Sequence, residues 1–210
     1  MTKTPPWPAF QRDLVAILRG LGPDEAEAVV EALIEEGFEA VEIPLNSPQP
    51  FHSIERVARR FGGQTLIGAG TVLTPDDCRR LAEAGGRLMV SPNTDPAVIE
   101  AACAQGLIAL PGAFTPSEAL LALRSGAAAL KFFPASVLGP AGIAAIRAVL
   151  PPETSLCAVG GVSEANFADY AKVGIRAFGL GSSLYKPGDS AASVRERARR
   201  AIQAYDEVFG

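Results

Sequence analysis

Short and almost unbroken apolar runs alternate along the chain with amphipathic segments. Such runs are typical of parallel strands that are buried on both faces. Most of the amphipathic segments begin at Pro, Thr, Asp or Ser and end at Gly, the residue types that start and stop helices. The pattern predicts eight strands, at 14–20, 40–46, 65–72, 88–93, 108–114, 129–135, 155–162 and 177–184. It predicts a helix after each strand, at 23–37, 47–62, 74–86, 95–106, 115–126, 139–151, 163–174 and 193–208.

This repeat predicts the fold class. Strand starts recur roughly every 20–26 residues, and eight strand–helix units in succession are typical of an α/β protein of the (β/α)8 TIM-barrel type. An open doubly wound sheet is the alternative, but it usually has fewer strands, and the first turn at 19–23 lacks the full glycine fingerprint of that fold. No change in composition divides the chain. We therefore expect one domain over 1–210, in which a Pro-rich lead segment at 1–13 packs on the exterior or the floor of the barrel.

The composition excludes several classes of function. With 19 Lys and Arg against 23 Asp and Glu, the net charge of −4 favours neither nucleic acid nor an anionic membrane as a partner. The single histidine, His52, excludes a zinc site built from several histidines, and we expect it on the surface of a helix. Cys78, Cys103 and Cys157 are widely spaced, which argues against a disulfide framework and fits a reducing cytoplasm. The sequence shows no membrane span or signal peptide, and it indicates neither a metal nor a cofactor.

Three charged residues interrupt apolar strands near the ends where barrels carry function: Arg19, Glu42 and Lys131. Lys131 is the only lysine inside a predicted strand, and alternation along the strand directs its side chain into the barrel. Burial among apolar neighbours lowers the pKa of an amine and makes it nucleophilic near neutral pH. The alternative is a lysine that extends to the rim or forms an ion pair with Glu42.

Glu42 and Arg19 complete the charged set. Glu42 is the only acid well inside a predicted strand, where it either relays protons for the nearby lysine or forms a structural ion pair. Arg19 ends the first strand, and its guanidinium suits a carboxylate or a phosphate, although an arginine at a barrel rim also commonly has a capping role. Thr71 ends a strand without bulky side chains, and it is placed to donate a hydrogen bond to a substrate carboxylate or to local backbone.

Glycines close the last two predicted strands, at Gly160 and Gly161 and at Gly179 and Gly181, and Ser182 adds a hydroxyl. Barrels often bind phosphate through the backbone amides of these two loops. Tight turns without a ligand are the alternative. An amine nucleophile, a carboxylate and a phosphate site together indicate Schiff-base chemistry on a phosphorylated keto compound. A phosphate-binding barrel isomerase or synthase and a non-catalytic binding barrel remain as alternatives.

Four motifs carry a resemblance to a known family: VEIPLNSP at 41–48, GAGTV at 68–72, KFFPA at 131–135 and AVGGV at 158–162. They resemble the KDPG/KHG aldolases, which are (β/α)8 class I aldolases acting on phosphorylated keto-deoxy sugar acids. The segments 17–20 and 44–48 resemble the branch that acts on the galactonate epimer. The gluconate-type enzymes carry arginine at the position of Asn46 and threonine at that of Val159.

The resemblance implies a lyase in which Lys131 forms the Schiff base and Glu42 is the general acid and base. It implies cleavage of 2-dehydro-3-deoxy-6-phospho-D-galactonate to pyruvate and D-glyceraldehyde 3-phosphate, with the 6-phosphogluconate epimer as the alternative main substrate. No cofactor takes part, and family members are typically homotrimers.

The resemblance also implies how the substrate is bound. Arg19 and Thr71 contact its carboxylate end or its hydroxyls, and Phe133 packs beside the lysine. Val159 is associated with the accepted configuration at C4. The phosphate is held by Gly160, Gly161, Gly181 and Ser182.

Overall fold

A computed structural model describes residues 5–210, so the first four residues of the lead segment lie outside the described residues. The predicted α/β barrel is confirmed. The strands are β1 (Leu14–Ile17), β2 (Ala40–Pro44), β3 (Leu66–Gly70), β4 (Leu88–Val90), β5 (Ile108–Leu110), β6 (Gly112–Ala113), β7 (Leu130–Phe132), β8 (Leu156–Val159) and β9 (Ala177–Leu180). The helices are α1 (Pro23–Glu35), α2 (Pro50–Phe61), α3 (Pro75–Glu83), α4 (Pro96–Ala104), α5 (Pro116–Arg124), α6 (Ala135–Arg147), α7 (Phe167–Ala171) and α8 (Ala191–Phe209).

The strands form one parallel sheet in the order β5-β4-β3-β2-β1-β9-β8-β7-β6. The two outermost strands are consecutive parts of one predicted strand, interrupted at Pro111, which has no N–H to donate to the ladder. Because β5 pairs with β4 and β6 pairs with β7, this segment closes the sheet into a ring. Counting β5 and β6 as one unit, β2 and β7 are four strands apart in either direction. They therefore lie on opposite sides of the barrel.

All eight predicted strand segments are present, but the sheet ends earlier than the apolar pattern does. The first strand ends at Ile17 instead of residue 20, and the eighth ends at Leu180 instead of residue 184. The residues beyond these points leave the ladder and form the loops over the carboxyl end of the barrel. An apolar run thus marks a buried strand together with the buried start of its loop.

Two helices also differ from the prediction. The sixth begins at Ala135, ahead of the predicted residue 139, and Gly139 has a φ of 66° that separates a first turn from the longer helix after Pro140. The segment predicted as one helix over 163–174 is a 3₁₀ turn at Glu164–Asn166 followed by α7. The pattern located both helices, but it missed the turn that precedes Gly139 in the sixth helix and the internal break in the seventh.

The core has two layers. Leu14, Ile43 and Phe132 belong to the layer between strands and helices, and the alternate residues of the strands point into the barrel. The described part of the lead segment, residues 5–13, closes the amino-terminal end of the interior. Trp7 and Phe10 pack there with their ring centroids 5.7 Å apart, against the interior cluster that includes Val15. The open choice between exterior and floor is therefore decided in favour of the floor.

The single histidine and two of the three cysteines lie outside the barrel interior. His52 is exposed on α2, as predicted. The three cysteines are buried, and of the three only Cys157 points into the barrel. In the described part of the chain, no group of His, Cys, Asp and Glu side chains is arranged to hold a metal ion, and no helix combines the length and apolarity needed to cross a bilayer.

Candidate active site

A cavity of about 340 Å³ opens at the carboxyl end of the barrel. All ten residues that the sequence singled out line it: Arg19, Glu42, Thr71, Lys131, Phe133, Val159, Gly160, Gly161, Gly181 and Ser182. They come from the ends of six strands, so the closure of the barrel is what brings them together. The same cavity is also lined by Ile17, Pro92, Val162, Gly179, Tyr185, Lys186 and Pro187.

Lys131 lies in the middle of β7 with its side chain directed into the barrel. Its neighbours Leu130 and Phe132 pack in the outer core layer, as strand alternation predicted. Only 6% of Lys131 is exposed, and its Nζ atom lies 4.8 Å from the centroid of the Phe133 ring. Burial lowers the pKa of the amine, and the charge of Glu42 partly opposes this. Lys131 therefore does not extend to solvent at the rim of the barrel, which was one of the alternatives.

Glu42 is buried in β2, with 2% of its surface exposed. Its Oε2 atom has no hydrogen-bond partner within residues 5–210. Burial raises the pKa of the carboxyl to about 7, against the opposing effects of Lys131, Arg19 and a hydrogen bond from the backbone of Gly70. Residue 70 has to be glycine, because a Cβ atom there would overlap the carboxylate. A carboxyl with this pKa can both donate and accept a proton near neutral pH.

The amine and the carboxylate face each other across the mouth, because β2 and β7 are on opposite sides of the ring. Within the described residues, no ion pair within 4.0 Å joins Lys131 to any acid, Glu42 included. A structural ion pair would bring the two groups into contact and satisfy both carboxylate oxygens. The observed arrangement leaves the cavity between them free for a reacting molecule.

Arg19 and Thr71 lie at the edge of the cavity. The Nη1 atom of Arg19 donates a hydrogen bond of 2.6 Å to Oδ1 of Asn46, which holds the guanidinium in place. Thr71 has a φ of 54°, in the left-handed region that a β-branched residue rarely adopts. Backbone strain of this kind is concentrated at functional sites, where surrounding structure holds it in place.

The glycine-rich loops after β8 and β9 form the other side of the cavity. Gly160 and Gly161 have φ values of 90° and 75°, which glycine alone adopts readily. The carbonyl of Gly181 accepts hydrogen bonds from the N–H groups of Leu184 and Tyr185, which forms a single helical turn. The N–H groups of Gly161, Ser182 and Ser183 donate no hydrogen bond within residues 5–210. Unpaired amides at such turns are a binding site for an anion.

The sequence pattern did not indicate several residues that line the cavity or contact its lining residues. Cys157 is the register partner of Lys131 on β8 and points into the same interior, a contact that follows only from the pairing of the two strands. Asn46 stood out as a marker of one branch of the family, but its contact with Arg19 was not foreseen. Lys186 was overlooked because it lies beyond the last strand, although a lysine in the loop after a barrel strand is a recognisable signal.

A buried amine opposite a buried carboxylate, at the mouth of a (β/α)8 barrel, is suited to an enzyme that works through a covalent imine. Comparison with known proteins makes this class more specific. Residues 10–195 match the family described as KDPG and KHG aldolase, and the chain belongs to that family.

Individual relatives resemble the chain over nearly its whole length. It is 64% identical over 205 residues to a Rhizobium meliloti (strain 1021) protein named probable 2-dehydro-3-deoxy-6-phosphogalactonate aldolase, covering 98% of this chain and 97% of that one. It is 47% identical to the Escherichia coli (strain K12) 2-dehydro-3-deoxy-6-phosphogalactonate aldolase, covering 93% and 95%. A solved structure described as native KDPGal superimposes with a TM-score of 0.94 at 46% identity, covering 97% and 98%.

Proposed function

We propose that this protein is a class I aldolase, a lyase that cleaves 2-dehydro-3-deoxy-6-phospho-D-galactonate to pyruvate and D-glyceraldehyde 3-phosphate. The observation that carries the proposal is the buried Lys131 facing, across one cavity, the buried Glu42, whose Oε2 atom has no hydrogen-bond partner within residues 5–210. The family and the names of its similar relatives support the reaction type and the substrate class.

The first half of the reaction forms the imine. The neutral amine of Lys131 attacks the C2 ketone, which forms a C–N bond and a carbinolamine. Glu42 relays the protons that allow the carbinolamine hydroxyl to leave as water, and an iminium results. The lowered pKa of Lys131 increases the fraction of amine that is ready to attack.

The second half breaks the carbon–carbon bond. The ionised Glu42 takes the proton of the C4 hydroxyl, and the electrons of the C3–C4 bond move into the iminium to form an enamine. D-Glyceraldehyde 3-phosphate departs. The enamine carbon is then protonated by Glu42, and water hydrolyses the resulting iminium to release pyruvate and the free amine. A carboxyl with a pKa of about 7 suits both directions of proton transfer.

The remaining site residues bind the substrate. Arg19 and Thr71 contact its carboxylate end or its hydroxyls, and Phe133 packs beside the reacting carbons. Val159, at the end of β8, contacts the region of C4 and favours the galactonate configuration. The phosphate lies on the glycine-rich loops, where the proposed ligands are Gly160, Gly161, Gly181 and Ser182.

Two experiments test this assignment. Sodium borohydride added with pyruvate reduces an imine, so we expect irreversible inactivation and a mass adduct on Lys131 but none on the exposed Lys172. Initial rates of pyruvate release with both C4 epimers measure the stereochemical preference, and we expect the galactonate epimer to be preferred. A preference for the gluconate epimer would reassign the substrate within the same class. Activity without any borohydride adduct would favour a phosphate-binding isomerase or synthase, and binding without turnover would favour a binding barrel.

We further propose that the protein is a cytoplasmic homotrimer. In the part of the chain that the structure describes, four large apolar side chains are exposed, at Leu73, Phe114, Val137 and Val149. A subunit contact is one way to cover such surface. Three buried cysteines that are widely spaced along the chain suit a reducing compartment. Light scattering of the purified protein is expected to give three times the subunit mass of 21.8 kDa, and a monomer mass would contradict the trimer.

A further inference from the structure

Among residues 5–210, one cationic side chain that lines the cavity has no role in the proposed mechanism. The described residues place three cationic side chains at the cavity: Arg19 donates to Asn46 on the β2 side, Lys131 is the proposed nucleophile, and Lys186 lies in the loop after β9. Lys186 follows Ser182 by four residues, so it is the cationic residue of the loop that carries the unpaired amides.

The backbone around Lys186 is held on both sides. Its N–H donates a hydrogen bond of 2.6 Å to Oδ2 of Asp189, whose own N–H donates to the Lys186 carbonyl. The Asp189 carboxylate also forms an ion pair of 2.7 Å with Arg197 of α8. On the other side, the Tyr185 hydroxyl donates to Glu25 of α1 at 3.4 Å. A residue fixed in this way presents its side chain to the cavity from a preorganised loop.

The loop after β9 also packs against the residues that follow β1. The ring of Pro187 packs so closely on Gly20 that a Cβ atom at residue 20 would lie 2.6 Å from Cγ of the proline.

The Lys186 side chain is exposed, and it forms no ion pair within 4.0 Å in the part of the chain that is described. Asp189 is the acid closest to it in the loop, and Arg197 already neutralises that carboxylate.

We propose that Lys186 binds the phosphoryl group of the substrate and so selects phosphorylated over unphosphorylated aldehydes. The amides of Gly161 and Ser182 supply directional hydrogen bonds to the phosphoryl oxygens, and the ammonium group of Lys186 supplies the opposite charge that neutral amides lack. This inference rests on the proposed aldolase function and adds a residue that determines specificity.

The test uses aldol condensation by the full-length protein, with pyruvate and either D-glyceraldehyde 3-phosphate or D-glyceraldehyde. We expect Lys186→Met to lower kcat/KM for the phosphorylated aldehyde about tenfold, mainly by raising KM, because a charge-assisted hydrogen bond is lost at a solvent-exposed site. The loss for D-glyceraldehyde should be much smaller. Lys186→Arg should recover most of the preference, because it restores the charge. Lys172→Met, at an exposed lysine on the outside of the barrel, is the matched control and should behave as the wild type.

Salt gives an independent readout. Raising KCl from about 50 to 500 mM should reduce the wild-type preference for the phosphorylated aldehyde, and Lys186→Met should be less sensitive, because screening acts on a charge that the variant lacks. Equal losses with the two aldehydes, or wild-type values for both, would overturn the role of Lys186 while borohydride trapping at Lys131 remained intact. A wild-type protein that neither traps pyruvate nor prefers the phosphorylated aldehyde would overturn the aldolase function as well.

Discussion

The two ends of the barrel interior are built from the same strands but differ in polarity and in how their polar groups are paired. At the floor, Trp7 and Phe10 pack on apolar side chains such as Val15, and the Trp7 indole N–H donates to Asp13. At the mouth, Glu42 is buried with an unpaired oxygen, and Lys131 is buried with no ion pair among the described residues. The floor closes the interior with apolar contacts, whereas the mouth retains desolvated groups that cost stability.

We infer from this difference that the mouth contributes mainly to activity and the floor mainly to the free energy of unfolding. Substitutions at the mouth should reduce activity far more than stability, and substitutions at the floor should do the reverse. Four variants measure how complete the separation is.

The largest effect is expected for Lys131→Ala. Removal of the amine eliminates the imine route, so we expect kcat/KM to fall by at least ~10³-fold. Lys172→Ala is the matched control, because Lys172 is exposed and paired with Asp169 on the outside of the barrel. Initial rates of pyruvate release measure both variants. If Lys172 proved essential and Lys131 dispensable, the mouth would not hold the chemistry.

Glu42→Gln should be nearly as harmful, with a loss in kcat/KM of about 10²- to 10³-fold, because the amide cannot exchange protons.

The same variant tests what burial of the Glu42 carboxyl costs in stability. The folded carboxyl keeps its proton up to a pKa of about 7, whereas the unfolded one loses it near 4.5. Between these pH values the folded state binds more protons, so the wild-type free energy of unfolding should fall as pH rises, by up to about 3 kcal/mol from this group.

Urea unfolding at several pH values checks that sign. Lys131 acts in the opposite direction, because its lowered pKa makes the folded state bind fewer protons than the unfolded one, and that contribution to stability grows with pH. The difference between the wild type and Glu42→Gln isolates the carboxyl. A variant whose stability falls with pH as steeply as that of the wild type would refute the assignment of the raised pKa to Glu42.

Trp7→Ala, at the floor, should reduce stability and leave activity nearly unchanged. The half-buried indole contacts Phe10 and donates to Asp13, so we expect its loss to lower the free energy of unfolding by about 1–3 kcal/mol. The value of kcat should change by less than about twofold, because the mouth is at the other end of the strands. Trp7→Phe keeps an aromatic contact and loses the hydrogen bond, which separates the two contributions. Unfolding is followed by circular dichroism, and a large fall in kcat at wild-type stability would remove the distinction between the two ends.

The smallest effect is expected for Ser182→Ala. Loss of one exposed hydroxyl at the phosphate side should raise KM for the phosphorylated substrate about threefold to tenfold and leave kcat near its original value. The control is Ser183→Ala, because the Ser183 hydroxyl donates to the carbonyl of Val162 at 3.2 Å and is engaged within the protein. An equal rise in KM for both variants would show that the loop needs its hydroxyls for shape and not for the phosphate.

Much of the site could be predicted because strand alternation is a local property. The placement of Lys131 toward the interior, with Leu130 and Phe132 on the other face, depends only on neighbouring residues. The same reasoning placed Glu42 inside. It could not show that Oε2 of Glu42 has no partner, because that depends on every group that surrounds the carboxylate in the folded chain.

Boundaries were harder to predict than elements. The break at Pro111 and the 3₁₀ turn at Glu164–Asn166 lie within segments whose type was correct, and the kink at Gly139 lies where the predicted sixth helix began. Apolar periodicity reports burial, and burial continues where the hydrogen-bond ladder has already stopped.

The sequence by itself determined the succession of strand–helix units, the face on which each strand residue lies and the identity of the charged residues near the strand ends, because these depend on interactions between residues close together in the chain. The tertiary structure alone decided that β2 stands opposite β7, that Trp7 and Phe10 close the floor, and that Asp189 and Arg197 hold Lys186 at the cavity. These arrangements depend on the closure of the ring, which sets the contacts between distant segments. No local pattern of apolar and polar residues carries that information.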